Sequence, residues 1–342
     1  MSSTQSSARL LDATLAVLWQ QWTTLGIAGT KGATSSIIDP EALVLATSRF
    51  GRYEPRLFDE MLDWLTRYSG VLDVTRLKRM ATTSSVADAQ VLSALIDYLQ
   101  VHAAASKWAS IAQALVVEED SPAYGGRQSL FLDPAGTPQP TFGATDSFFT
   151  QHGFDRPPVI LRGMSQEPRL VDPALARLRL RALMGPGVRA ETVLYLATHD
   201  HAHGRLIATR SAYSQRQVSE YLAQLADAGF AERWDAGRTV QYRLSVPFVA
   251  AGTRLPSYVD WLGVWSAFAT LWSAAEAARV AATPYAAAKS WRTGLAEVRK
   301  TLPVEGLGVV TPVPEHYPGE SITAYAEEYV SAFAVALAGV GA

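Results

Sequence analysis

Four polar side chains, Gln215, Arg216, Gln217 and Ser219, carry the sharpest chemical signal in the chain. Guanidinium, carboxamide and hydroxyl groups are what hydrogen-bonds the edges of base pairs: arginine forks onto guanine, glutamine onto adenine, and serine onto either. The four fall on the first turns of a predicted helix with Ser214 as its N-cap. Val218, Leu222 and Leu225 recur at i, i+4 and i+7, an apolar stripe that turns Gln215, Arg216 and Ser219 away from the core. Arg238, at the turn of a predicted hairpin, with Arg233 and Thr239 nearby, suits phosphates or an adjacent minor groove.

Other candidates carry less. His199, His201 and His203 alternate through HDHAH, but a metal would need a further ligand and outer partners to orient the rings, so they are read as an inert loop between two helices and no metal is assigned. Trp261, Trp265, Phe268 and Trp272 fall at i, i+4, i+7 and i+11; such a stripe is core or a dimer seam more often than the wall of a pocket for an aromatic effector. Arg76, Lys78 and Arg79 would be phosphate contacts if residues 40–81 held a second helix-turn-helix, but no hairpin follows, and a plain helical bundle is preferred. The glycines of GIAGTKGATSS lack the spacing of a phosphate-binding loop. With no cysteine, no nucleophile elbow and no zinc-protease helix motif, no catalytic residue and no cofactor is assigned, and the expectation is a protein that is not an enzyme.

The elements that must position the polar set run from Val188 to Leu244. Val193, Leu194 and Leu196 mark one helix, a short helical run follows at about 204–210, and Ser211, Ala212 and Tyr213 break it before the polar helix. Gly229 closes that helix, after which the period becomes two: Val240, Tyr242 and Leu244 alternate with Thr239, Gln241 and Arg243, joined to a Phe230–Trp234 strand through Asp235-Ala236-Gly237. Helix, helix, turn, helix, hairpin is the winged-helix order.

The stretch YSQRQVSEYLAQLADAGFAERWDAGRTVQYRL resembles the winged helix-turn-helix of bacterial regulators of the ArsR and MarR type, with a polar recognition helix, an Ala-Gly-aromatic step and a Gly-Arg wing tip. The resemblance implies double-stranded DNA as partner, read as a homodimer over two half-sites through the terminal helices, with a small-molecule effector as a further candidate partner. The thiolates of the metal-sensing members are absent. Arg216 is the first candidate for base contact, and Glu220 beside it weakens the face.

Composition sets the frame. A chain of 342 residues, 48% hydrophobic and 18% charged, has ample core for several packed units. No apolar run approaches the ~18 residues of a membrane span. The start, MSSTQSSARL, lacks a signal peptide's basic and apolar regions, so the expected place is the cytoplasm. The net charge of −2 conceals a contrast: residues 174–245 hold ten arginines and six acids, +4, leaving −6 for the remainder. The Arg177, Arg179 and Arg181 included there do not share a helical face and are expected to be solvated or paired.

The predicted fold is mainly α: a helical bundle over 1–120, an aromatic, proline- and glycine-rich packed connector over 121–172, a winged helix over 173–247 with a small β-hairpin, and a second helical bundle over 248–342. In the connector, 130–132 and 159–161 are candidate strands, and Leu175, Leu178 and Leu183 should pack the following helix inward. The expected function is sequence-specific transcriptional regulation. The alternative is a protein-interaction scaffold, such as an antitoxin or defence-system subunit, whose winged helix docks a protein.

Overall fold

Helix starts in this chain are written in short capping side chains. In a computed structural model, which describes residues 3–29, 32, 34–103, 108, 126–248, 255–302 and 305–341, α2 (Pro40–Phe50) begins at Asp39, whose carboxylate accepts the Ala42 amide, and has proline at its first position. Asp73 and Asp88 do the same for α4 (Val74–Thr83) and α5 (Ala89–His102). Preceding them are α1 (Ser3–Leu25) and, between α2 and α4, α3 (Pro55–Tyr68). The end of the bundle expected over 1–120 and the start of the connector expected over 121–172 lie outside the described residues, at 104–107 and 109–125; Trp108 is buried.

The connector is ordered by backbone pairing rather than by long strands. Strand β1 (Gln128–Ser129) runs parallel to β2 (Phe154–Asp155), with α6 (Ser147–Gln151) between them. The strand expected at 159–161 does not form. Pro157 and Pro158 before it supply no N–H, and the Val159 amide donates to Asp146 instead. Leu132 makes only an isolated bridge to Pro138.

Pro173 opens a turn of 3-10 helix that leads into α7 (Ala176–Met184). Leu175 and Leu178 are buried as expected, but Leu183 is 73% exposed and Leu180 takes the inward place. Beyond it come α8 (Val188–Thr198), β3 (Ala202–His203), α9 (Gly204–Ser211), α10 (Gln215–Asp227) and the strands β4 (Ala231–Ala236) and β5 (Thr239–Leu244). The three strands form one sheet in the order β3-β5-β4. The chain ends with α11 (Trp261–Arg279), α12 (Pro284–Thr301) and α13 (Ser321–Gly341). The described fold is therefore mainly helical with two small sheets, and no described helix is long and apolar enough to cross a membrane.

Both ends of the chain feed one apolar core. Leu10, Val17 and Trp22 of α1 share a cluster with Phe333 and Leu337 of α13, and with Trp261, Trp265 and Phe268 of α11. Phe50 meets Phe268 edge-on at 4.4 Å, and Trp22 meets Trp64 at 5.5 Å. Three indoles are hydrogen-bonded: Trp22 donates to Thr47 Oγ1 at 2.8 Å, Trp64 to the Leu25 carbonyl and Trp261 to the Ile37 carbonyl, each at 2.9 Å, whereas the buried Nε1 of Trp108, Trp265 and Trp291 has no partner. The tryptophan stripe is thus core. The α13 face carrying Phe333 and Leu337 is buried within the chain.

Candidate nucleic-acid interface

Helix α10 is held at its start by a complete capping box. Ser214 Oγ accepts the Gln217 amide at 3.3 Å, and Gln217 Oε1 accepts from the Ser214 amide and hydroxyl. Val218, Leu222 and Leu225 are its buried residues, while Gln215, Arg216, Gln217 and Ser219 are exposed and Ser214 is half-buried. Gln217, expected to read bases, spends its side-chain oxygen on the cap. Arg216 Nε donates to Glu220 Oε1 at 2.7 Å, an exposed pair one helical turn apart and readily exchanged for another acceptor.

The ribbon lies beside this helix. Its turn is Gly237-Arg238, and the strand before it runs on to Ala236 opposite Thr239 rather than ending at Trp234. Gly237 has φ +64°, a conformation glycine accepts at the first central position of a two-residue hairpin turn, and this puts Arg238 at the tip. Arg233, Arg238 and Thr239 are exposed. Register places Glu232, Trp234, Gln241 and Arg243 on one face, with Arg243 paired to Glu232 at 2.5 Å and stacked over Trp234. Arg233 shares the other face with Tyr242, which is buried.

The turn between α9 and α10 is anchored in the helical body. Arg76 Nε donates to the Ser211 carbonyl at 2.7 Å, and the Tyr213 hydroxyl makes a short hydrogen bond to Asp73. Ala212 sits between them at φ +58°, the one positive φ among described non-glycine residues. Arg76 is therefore no phosphate contact: it is buried, with Nη2 on Asp39 at 2.5 Å and Nη1 on Glu41 at 2.6 Å. Arg177 bridges Asp39 and Glu191, and Arg181 bridges Glu41 and Glu191. Three arginines and three carboxylates thus neutralise one another where α2, α4, α7 and α8 meet. Burial alone would raise the Asp39 and Glu191 carboxyls, but the guanidiniums outweigh it, Arg177 foremost, and hold both below the usual carboxylate range.

This cluster corrects the charge reading. Arg177 and Arg181 are spent inside the protein, and Arg210 pairs with Asp260. Within 174–245 the exposed arginines are Arg189, Arg205, Arg216, Arg233, Arg238 and Arg243, against exposed Asp200, Glu220, Asp227, Glu232 and Asp235. The surface surplus is one positive charge, not four. Among these, Arg189, Arg205, Arg233 and Arg238 have no ion-pair partner among the described residues, and Arg189 lies over the Tyr221 ring.

The histidines do separate work rather than forming an inert loop. His199 stacks on Tyr195 at 3.9 Å; its Nδ1 lies 2.7 Å from the Tyr195 carbonyl and its Nε2 makes a short contact with Glu305. Both partners only accept, which favours the doubly protonated ring. Burial lowers the His199 pKa, but these hydrogen bonds more than reverse it and leave it raised. His203 Nδ1 caps α9 by accepting the Leu206 amide, and His201 lies against Trp234. Neither the ionic cluster nor the His199–Glu305 contact has a local signal in the sequence, since the partners stand up to 140 positions apart. Comparison with known protein families, curated proteins and solved structures found no match.

Proposed function

We propose that residues 188–244 are a winged helix-turn-helix and that the protein is a cytoplasmic, sequence-specific DNA-binding regulator. The observation that carries this reading is the presentation of α10: a capped helix whose first two turns expose Gln215, Arg216 and Ser219, set beside a ribbon tipped by Arg238. The order of helices and strands and the sheet order β3-β5-β4 support it. A helix of this kind enters a major groove with its N-terminal residues toward the bases, while a wing meets the backbone or minor groove.

The near-balance of surface charge shapes the expectation. Four exposed arginines without ion-pair partners, together with Arg216, would neutralise few phosphates, so the salt dependence of binding should be shallow, with a log–log slope of about −4 to −5. Non-specific affinity should be low and base contacts should supply most of the discrimination. Selection of a site from random duplex DNA by the whole protein, followed by titration at several salt concentrations, tests this. Failure to enrich any sequence at low salt would overturn it.

A second reading is favoured by one observation: Trp234 and Phe230 are 37% and 44% exposed on or beside the ribbon of a nearly neutral module. Exposed aromatics are what protein interfaces bury, so a docked protein partner is the alternative. Trp234→Ala would abolish capture of that partner and leave DNA binding intact.

A further inference from the structure

Residues 188–211 are seated on the C-terminal helices through a compact polar cluster whose hub is Glu305. This residue follows α12 and is fixed by its backbone: its carbonyl accepts the Asp260 amide at 3.1 Å. The next residue, Gly306, has φ +83°, and a Cβ there would lie 2.6 Å from the Tyr258 carbonyl. Three donors from α8, its C-cap and α9 converge on the Glu305 carboxylate. His199 Nε2 makes its short contact with Oε1, the Tyr195 hydroxyl donates to Oε2 at 3.1 Å, and Arg210 Nε lies 3.6 Å from Oε2. Arg210 also pairs with Asp260, the N-cap of α11, and its carbonyl accepts the Tyr258 hydroxyl at 3.2 Å.

His199 is the member of this cluster whose charge changes near neutral pH. It occupies the C-cap of α8 in extended conformation, where the chain leaves the helix for β3. Its ring is placed to hold two protons. Nε2 faces a carboxylate and Nδ1 a carbonyl, neither of which donates, and Thr198 Oγ1, 3.0 Å from Nδ1, is directed at the Leu194 and Tyr195 carbonyls of its own helix. The Tyr195 ring stacked on it at 3.9 Å favours a cation on its face, and the Tyr258 ring stands edge-on at 5.4 Å. The charged groups facing it are Asp200 on its own segment, Glu305 after α12, and Arg210 of α9, itself held by Asp260. Loss of one proton sets a ring lone pair against the Tyr195 carbonyl or the Glu305 carboxylate. With 21% of the side chain exposed, water reaches the ring to exchange that proton. Glu305 carries the complementary shift: burial would raise its carboxyl, but His199, Tyr195 and Arg210 outweigh burial and leave it below the usual range.

We propose that His199 and Glu305 form a proton-operated latch that holds the helices of the winged module against the C-terminal bundle, closed while the imidazole carries its charge and loosened when the proton leaves. The module's other attachment, through Ser211 and Tyr213 to Arg76 and Asp73, contains no group that ordinarily titrates near neutral pH. Any consequence for DNA rests on the DNA-binding reading: the seated module is the state that presents α10, so affinity should fall as pH climbs through the His199 titration. The latch itself is measured without DNA.

NMR of the histidine rings in the full chain, from pH 5 to 9, tests it, with His199 identified among the six histidines by the signal that His199→Gln removes. His199 should titrate above the ordinary value of about 6.5, and Glu305→Gln should move its titration down. Hydrogen exchange of the amides at 202–213, corrected for the intrinsic effect of pH, should speed up about fivefold across that titration in the wild type and stay flat in His199→Gln. Tyr195→Phe removes a neutral donor to the same carboxylate and should keep the pH dependence, which separates a proton-linked latch from general loosening. The latch is overturned if His199 titrates at or below the ordinary value, or if Glu305→Gln leaves that titration in place. It is equally overturned if wild type and His199→Gln share one exchange profile, or if Tyr195→Phe abolishes the pH dependence as well. Should the latch pass and no duplex bind at any pH, the DNA reading alone fails.

Discussion

Arg181 and Arg238 are the same residue type in the same basic stretch, and they have opposite fates. Arg181 is nearly solvent-free, its guanidinium shared between Glu41 and Glu191 on two other helices. Arg238 stands at the tip of a two-stranded ribbon with no ion-pair partner. The difference is one of hydration: a buried charge exists only where opposite charge and hydrogen bonds replace water, whereas an exposed one keeps its solvent and remains free to exchange it for a phosphate. Basic residues counted along a sequence therefore overstate the charge a partner meets.

The strongest way to break this contrast is to remove one member of the cluster. Glu41→Ala or Arg181→Ala leaves an uncompensated buried charge and should destabilise the protein by about 3–5 kcal/mol in urea unfolding. An equally large loss of stability from Arg238→Ala would erase the distinction between the two regions. Arg216→Ala and Arg238→Ala should instead leave the urea midpoint unchanged. On DNA, the first should cost about tenfold in discrimination between preferred and random duplex, and the second should weaken all duplexes alike.

Two smaller effects sharpen the comparison through pH. Asp39 and Glu191 have folded pKa values below their unfolded ones, so their contribution is present at neutral pH and is lost only as pH falls through and beneath the ordinary carboxylate range near ~4. His199 runs the other way. Its folded pKa is raised, so its contribution is complete below the unfolded value of about 6.5 and fades as pH climbs through the folded one. Unfolding measured from pH 5 to 9 should show a decline at the alkaline end that His199→Gln abolishes, with the loss no more than ~1 kcal/mol. The least effect is expected at the hinge turn: Ala212→Gly should stabilise by at most about 1 kcal/mol, since glycine accepts the positive φ that alanine resists. Thermal melts decide its sign.

Local features were readable from the chain because their causes are local. Ser214 as cap, the Val218–Leu222–Leu225 stripe, the positive-φ glycine at 229 and the alternation through Tyr242 each depend on neighbours within four residues, and each is found where spacing places it. The ribbon strand that runs on to Ala236 past Trp234 and the strand missing after Pro158 are errors of the same short range.

What tertiary structure alone decided is which polar groups remain for a partner. Asp39, Pro40 and Glu41 look like an ordinary helix start, and Arg76 looks like a surface cation. Their meeting with Arg177, Arg181 and Glu191 depends on helix packing across more than 100 residues of intervening chain. The same holds for His199 with Glu305. Propensity and periodicity act along the chain, whereas desolvation and charge pairing act through space. The chain by itself determined the helices, the ribbon and the outward polar face of α10, and folding determined which charges are spent inside.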